Sequence, residues 1–340
     1  MEKKNYTIVN IANLSGFSKA TVSKVIRNKP YVKKSTKEKI QNIIKEIGYH
    51  PDEIARSLVS KKNMNFIGLI ISDINNSFFS EVALGVESEA KKRGYNVILC
   101  NTNYLEEEEK KYIDILIRNR ATGLLLATPT LDDNNIKELM ARKYPFVLIT
   151  RKIKGLDSNI VSVNHYKSAK MAVNYLIKKG HKKIAHFTVE ENTIGVVNRL
   201  KGYEAALREN DIKFNKNFIF KNRTSKIECG YKLAQKLLAS ADRPTAIFAS
   251  DDLLAIGALD CFLEKGYKVP DDLSIIGYDN IKITSLKSIN LTTVNQPKFE
   301  MGVKSVEILF EQINGKEDFK AIKYYFKAKI VERGSVLDIS

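Results

Sequence analysis

The sequence predicts an all-α headpiece followed by an α/β core built as two doubly wound, parallel-sheet lobes. Three observations carry that prediction. The first 62 of the 340 residues hold three short apolar patterns of helical spacing and no strand pattern. From Phe66 onward, short apolar runs alternate with helical patterns, and the alternation restarts near residue 183. Charge changes at the same place. Residues 1–62 carry 14 Lys/Arg against 5 Asp/Glu, which puts +9 of the chain's +17 in the head and +8 in the other 278 residues. A basic head on a milder body suits a polyanionic partner docking at the N-terminal side.

Element by element, Thr7 is placed to cap a first helix whose Ile8, Ile11 and Ala12 share a face, and Gly16 ends it. Ser18 is the N-cap of a second helix with the stripe Val22, Val25 and Ile26, closed by Asn28, Lys29 and Pro30. Ser35 with Glu38 reads as a capping box for a third helix lined by Ile40, Ile43, Ile44 and Ile47, and Gly48 stops it. Residues 51–62, PDEIARSLVSKK, start like a helix but span about three turns, too short for stability alone, and read as a hinge.

In the core, FIGLII (66–71), NVILC (96–100), GLLLA (123–127) and FVLIT (146–150) are expected as buried strands, with helices near 79–93, 105–120 and 132–143. The second series has KIAHFT (183–188), NFIFK (217–221), AIFAS (246–250) and SIIGY (274–278), with helices near 166–179, 199–209, 227–239 and 252–265. In such sheets ligands bind outside the carboxyl ends of the strands, here between the lobes.

Several function classes are excluded. Cys100, Cys229 and Cys261 lie far apart, with no Cys-x-x-Cys or Cys/His spacing, so neither a disulfide framework nor a metal site is expected. His50, His165, His181 and His186 are scattered and read as structural. Glu106–Glu109 suits the start of a helix and reads as a solvated face. No dinucleotide, phosphate-loop, nucleophile-elbow or zinc-protease motif occurs, so no catalytic residue, enzyme activity or cofactor is expected. No signal peptide or apolar run of about 18 residues occurs, so a soluble cytoplasmic protein with no membrane contact is expected.

The segment FSKATVSKVIRNKP (17–30) is the strongest chemical signal. With Phe17, Val22, Val25 and Ile26 turned inward, Lys19, Ala20, Thr21, Ser23 and Lys24 are left on the outer face. Such a helix fits a major groove, where Lys donates to guanine acceptors, Ala lies against a thymine methyl, and Ser and Thr reach phosphates. An ordinary amphipathic helix on a three-helix bundle is the alternative.

The chain as a whole resembles the lactose-repressor (LacI/GalR) family of bacterial transcription regulators. TIVNIANLSGFSKATVSKVI, IGYHPDEIARSL, IGLIISDINNSFFSEVALGVE, GHKKIAHF, RLKGYEAAL, RPTAIFASDDLLAIGAL, VPDDLSIIGYDN and LTTVNQP follow one another in family order. The resemblance implies a helix-turn-helix headpiece (1–50), a hinge helix (51–62) and a core (63–340) similar to periplasmic sugar-binding proteins. The N-lobe is expected at 64–162 with 293–319, and the C-lobe at 163–292 with 320–340. DNA contacts are expected from Thr7, Ser18, Lys19, Ala20, Thr21, Ser23, Lys24, Asn28 and Tyr49, with Ala55 and Leu58 entering the minor groove. Lys24 stands where Arg is common, and Asp52 where Asn is usual.

For a small-molecule effector, the resemblance points to Asp73, Asn76, Phe78, Phe79, Thr150, Arg151, Arg199, Asp251 and Asp279. Ser77 replaces a usual Pro and Thr150 a frequent Asp. Arg151 and Arg199 together favour an anionic ligand, such as a sugar acid or sugar phosphate, over a neutral sugar. The implied protein is a homodimeric repressor of carbohydrate-related genes on a pseudo-palindromic operator, switched by that effector. ERGSVLDIS carries no heptad pattern, so no tetramer is expected. A solute receptor and a sugar-processing enzyme are the rival classes. A third reading keeps DNA binding but uses the phosphorylated phosphocarrier HPr as corepressor.

Overall fold

The computed structural model describes residues 6–26, 29–48, 65–128, 134–153, 155–190, 193–315 and 320–340. The chain divides into two compact units, residues 1–64 and 65–340.

In the first unit, α1 (Ile8–Ser15), α2 (Lys19–Ile26) and α3 (Lys34–Glu46) enclose Ile11, Ala12, Val22, Val25 and Ile40. The Thr7 amide and hydroxyl both donate to Asn10 Oδ1, at 2.8 and 2.7 Å, which fixes the start of α1. Gly16 ends it at φ +73°, a conformation that costs a Cβ-bearing residue. Ser18 caps α2 by accepting from the Thr21 amide at 3.2 Å. The third helix corrects the sequence reading. It opens at Lys34, because the Lys37 amide already closes a turn onto the Lys33 carbonyl at 3.0 Å. Ser35 therefore lies inside the first turn rather than capping it. The expected hinge, 51–62, lies outside the described residues.

The second unit has two six-stranded sheets. The N-lobe sheet contains β1 (Phe66–Ile71), β2 (Asn96–Asn101), β3 (Leu124–Ala127), β4 (Phe146–Ile149), β5 (Ile160–Val163) and β11 (Lys323–Phe326). Its order is β11-β5-β4-β3-β1-β2, all parallel. The C-lobe sheet contains β6 (Ile184–Val189), β7 (Ile219–Asn222), β8 (Ala246–Ala249), β9 (Ser274–Asp279), β10 (Thr292–Asn295) and β12 (Lys329–Val331). Its order is β12-β10-β9-β8-β6-β7, parallel except for β12 against β10.

Helices α4 (Ser77–Lys92), α5 (Glu106–Arg118), α6 (Asn134–Ala141) and α11 (Lys298–Asn314) belong to the N-lobe. The C-lobe holds α7 (His165–Lys178), α8 (Ile194–Glu209), α9 (Ile227–Leu238) and α10 (Asp252–Glu264). Strands buried on both faces read as unbroken apolar runs, as β1 does. The run β2 departs from the expected buried strand. It is the sheet edge, and Ile98 and Leu99 are each 41% exposed.

The lobe boundaries also differ from those expected. The chain crosses at Asn164, at 296–297 and at 327–328, so β10 lies in the C-lobe sheet and β11 in the N-lobe sheet. Each return strand completes the sheet it came from before the chain crosses: β10 pairs along β9 and β11 along β5. In the N-lobe, α4 and α11 approach until a Cβ on Gly85 would strike the Phe299 carbonyl. That contact seats α4, whose first turn faces the other lobe.

Candidate functional site

Between the carboxyl ends of the two sheets lies a cavity of about 180 Å³. On the N-lobe side it is lined by Asn76, Phe78, Phe79, Tyr104 and Thr150. Asn76 caps α4, its Oδ1 accepting from the Phe78 amide at 2.9 Å. That cap sets Phe78 and Phe79 edge to face, with centroids 5.2 Å apart. Tyr104 and Thr150 enter from loops in left-handed backbone conformations, φ +64° and +59°. For a β-branched residue such as Thr150 that geometry is strained.

The C-lobe side carries the charge. Asp251 caps α10, accepting from the Leu254 amide at 2.9 Å, and Arg199 projects from α8. Thr193 caps α8, accepting from the Val196 amide at 3.2 Å. Asp279 ends β9 at φ +114°, an unfavourable backbone geometry held by its surroundings. Gln296 Nε2 donates to its Oδ1 at 2.6 Å, and buried Lys298 donates to the carbonyls of Asp279 and Asn280 at 2.7 and 2.9 Å. Burial raises the Asp279 pKa to about 7; Arg199 pulls it down and the Asp251 charge pushes it up. Neighbouring Asp252 is also raised well above the usual carboxylate range, first by burial and then by Asp279.

Seven of the nine expected effector positions thus line one cavity: Asn76, Phe78, Phe79, Thr150, Arg199, Asp251 and Asp279. Two do not. Asp73 accepts from the Asn75 amide and side chain, at 3.0 and 3.2 Å, and shapes the loop instead. Arg151 is 1% exposed inside the N-lobe, where its Nη1 donates to Glu109 at 3.0 and 3.2 Å. The left-handed turn at Thr150 sends the two neighbouring side chains to opposite sides. Glu109 is consequently no part of a solvated face. It is fully buried, and also accepts from the Thr128 hydroxyl and from Asn135 Nδ2.

The cavity is also lined by residues that sequence reasoning did not place there, among them Tyr104, His165 (read as structural), Thr193, the 223–225 loop and Gln296. Gln296 stood inside LTTVNQP, and the others had no motif to mark them. His181 and His186 do sit in structural networks: His181 Nε2 donates to the Leu337 carbonyl and its Nδ1 pairs with the Thr245 hydroxyl, while His186 Nδ1 donates to the Phe248 carbonyl. His165 instead faces the cavity. Its pKa falls to about 3 through burial and the Arg199 charge, so it is neutral.

On the headpiece, Ser18, Lys19, Ala20 and Lys24 are exposed together at α2, with Thr21 and Ser23 half-buried beside them. Thr7 is exposed at the start of α1. Asn28, Tyr49, Ala55 and Leu58 lie outside the described residues.

Residues 7–52 match the model for bacterial regulatory proteins of the lacI family. Residues 64–329 match that for periplasmic binding proteins and the sugar-binding domain of the LacI family. The chain belongs to the LacI family. It is 35% identical over 334 residues to the HTH-type transcriptional repressor PurR of Vibrio atlanticus, covering 97% of this chain and 98% of that one. Among solved structures it resembles a LacI-family regulator of Enterococcus faecium with bound ribose. That match has a TM-score of 0.73 and 29% identity, over 81% of this chain and 100% of the other. It also resembles the lac repressor dimer bound to operator and the anti-inducer ONPF, with a TM-score of 0.76 and 25% identity, over 98% and 100%. This LacI-family protein is therefore a helix-turn-helix transcriptional repressor with a two-lobed periplasmic-binding-type core. No described helix is long and apolar enough to cross a membrane.

Proposed function

We propose that the protein represses carbohydrate-related genes in the cytoplasm, as a homodimer on a pseudo-palindromic operator released or recruited by a sugar-class effector in the interlobe cavity. The observation that carries this reading is the convergence of Arg199, Asp251 and Asp279 on one wall, opposite Phe78 and Phe79 on the other. A sugar has hydroxyls for the first wall and C–H faces for the second. Buried groups that need hydroxyl partners penalise ligands lacking them. With Arg151 committed to Glu109, the expectation of an anionic ligand loses one of its two cations, and a neutral sugar is the better match. For the dimer, Leu84, Ile98, Leu99 and Ile115 leave apolar surface exposed on α4, β2 and α5. For DNA, Lys19, Ala20 and Lys24 on α2 are the base-reading set, within the +9 head.

Calorimetry with aldoses, each paired with its own acid or phosphate, tests the effector class. Tighter binding of the charged member contradicts the neutral reading. Operator affinity is expected to fall steeply and log-linearly with salt, and a flat slope contradicts the headpiece assignment. A planar nitrogen heterocycle is the second reading, favoured by the aromatic Phe78, Phe79 and Tyr104 wall, and nucleobases belong in the same titration. A pull-down with phosphorylated HPr separates a protein corepressor from both.

A further inference from the structure

We propose that His165 is a specificity-determining contact: its Nε2 accepts a hydrogen bond from a ligand hydroxyl that Arg199 simultaneously donates to. The inference rests on the cavity being the effector site. His165 is 7% exposed, lines the cavity, and its Nε2 has no hydrogen-bond partner. A buried polar atom left unpaired is costly unless something else comes to pair it.

Which hydrogen-bonding role that atom plays follows from a relay behind it. Ser168 Oγ lies 3.0 Å from the Asn164 carbonyl and 3.3 Å from the His165 carbonyl, both pure acceptors, so its proton is directed back into the helix. Tyr278 Oη, 2.6 Å from Ser168 Oγ, is then the donor of that pair. The tyrosine oxygen is left to accept from His165 Nδ1–H at 3.0 Å. A neutral imidazole with its proton on Nδ1 has a lone pair on Nε2.

Arg199 favours the same arrangement independently. Its guanidinium sits 4.9 Å over the Tyr278 ring, and a positive charge prefers a facing lone pair to a facing N–H. Burial and that same charge keep the ring neutral, with its pKa at about 3.

The space in front of the two side chains is shared. A methyl built on Gly195 would lie 3.6 Å from His165 Nε2 and 3.8 Å from Arg199 Nη2. The glycine leaves that spot open to a ligand atom. A hydroxyl satisfies both neighbours at once, accepting from Arg199 and donating to His165. A carboxylate or phosphate oxygen can only accept, and sets its lone pair against that of Nε2.

The test has two arms on the full-length protein. With ¹⁵N-labelled histidine, long-range ¹H–¹⁵N spectra, assigned by the loss of signals in His165→Phe, are expected to show His165 protonated at Nδ1 and bare at Nε2. A proton on Nε2 overturns the proposal whether or not any ligand is known. In the second arm, D-ribose, D-glucose and D-galactose are titrated alongside their aldonic acids. His165→Phe is expected to weaken the neutral sugar that binds by about tenfold, the value of one hydrogen bond, and to leave its acid unchanged. Tyr278→Phe keeps the histidine but frees its proton, and is expected to give mixed ring tautomers and a smaller loss for the same sugar. Equal binding by wild type and His165→Phe overturns the role of His165 alone. No binding of any sugar by wild type overturns hydroxyl recognition together with the sugar reading, and leaves the bare Nε2 as a separate result.

Discussion

The two walls of the cavity are built on opposite plans. The C-lobe places Arg199, Asp251 and Asp279 against the ligand space and leaves Asp279 buried, backbone-strained and with a raised pKa. The N-lobe has an equally buried charge pair, Glu109 and Arg151, but its groups are turned inward, where Glu109 also accepts from Thr128 and Asn135. What reaches the cavity from that side is aromatic or uncharged: Asn76, Phe78, Phe79, Tyr104 and Thr150. Charge is paired inside one lobe and faces the cavity in the other. A ligand would be oriented by the C-lobe, and the N-lobe would close an apolar face over it.

Substitutions in the two lobes should therefore move stability and binding in opposite senses. The largest effect is expected from Arg151→Met, which leaves Glu109 buried and uncompensated. Losing one partner of such a pair costs about 3–5 kcal/mol. Urea unfolding should show that loss, while calorimetry on the folded fraction shows unchanged effector affinity. A large loss of affinity with normal stability would return Arg151 to the cavity.

Asp279→Asn should do the reverse. Effector affinity is expected to fall about a hundredfold, for a charge-assisted hydrogen bond removed from a dry site. Stability above neutral pH should hold or rise. The sign follows from linkage. Asp279 holds its proton up to about pH 7 when folded, against an ordinary value of 3.8. The folded state thus binds more protons across that window, and stability falls as pH rises from about 4 to 7. Asn at this position should flatten that slope, which denaturant midpoints measured from pH 4 to 8 will show. An unchanged slope would mean that Asp279 ionises at its ordinary pH.

What the sequence made legible divides along the same line as these effects. Runs such as FIGLII and AIFAS announce strands because a centre strand is apolar on both faces. Helix α11 and strands β5, β10, β11 and β12 were not expected as elements. β10, TTVN, is buried although half its residues are threonines. Its hydroxyls are satisfied from afar, Thr293 donating to Asp252 at 2.6 Å and Thr292 accepting from the Arg333 amide at 2.9 Å. No local pattern encodes those partners. Motif order located most of the cavity, yet it placed Arg151 there too. Its direction is set by the backbone at Thr150 and by Glu109, a residue 42 positions earlier. His165 was legible only as a lone histidine, since its role depends on Tyr278 and Arg199 from other elements.

The smallest effect is expected at Thr150. Its φ of +59° suits glycine, so Thr150→Gly should gain stability of about 1 kcal/mol from relieved strain. Effector affinity should change less than about threefold, since the C-lobe supplies the charged contacts. A tenfold loss would show that the N-lobe wall also orients the ligand.

The most direct measurement joins the cavity to DNA. An operator selected from random duplexes would be titrated, by fluorescence anisotropy, with wild-type protein and with Asp279→Asn, each without effector and with effector at a concentration that only just saturates the wild type. Operator affinity of the wild type should change by about tenfold or more, and effector affinity by the same factor on adding operator, because coupling is reciprocal. Asp279→Asn should keep its operator affinity but lose the response. Identical wild-type operator affinity with an empty and a filled cavity would contradict an effector-switched repressor.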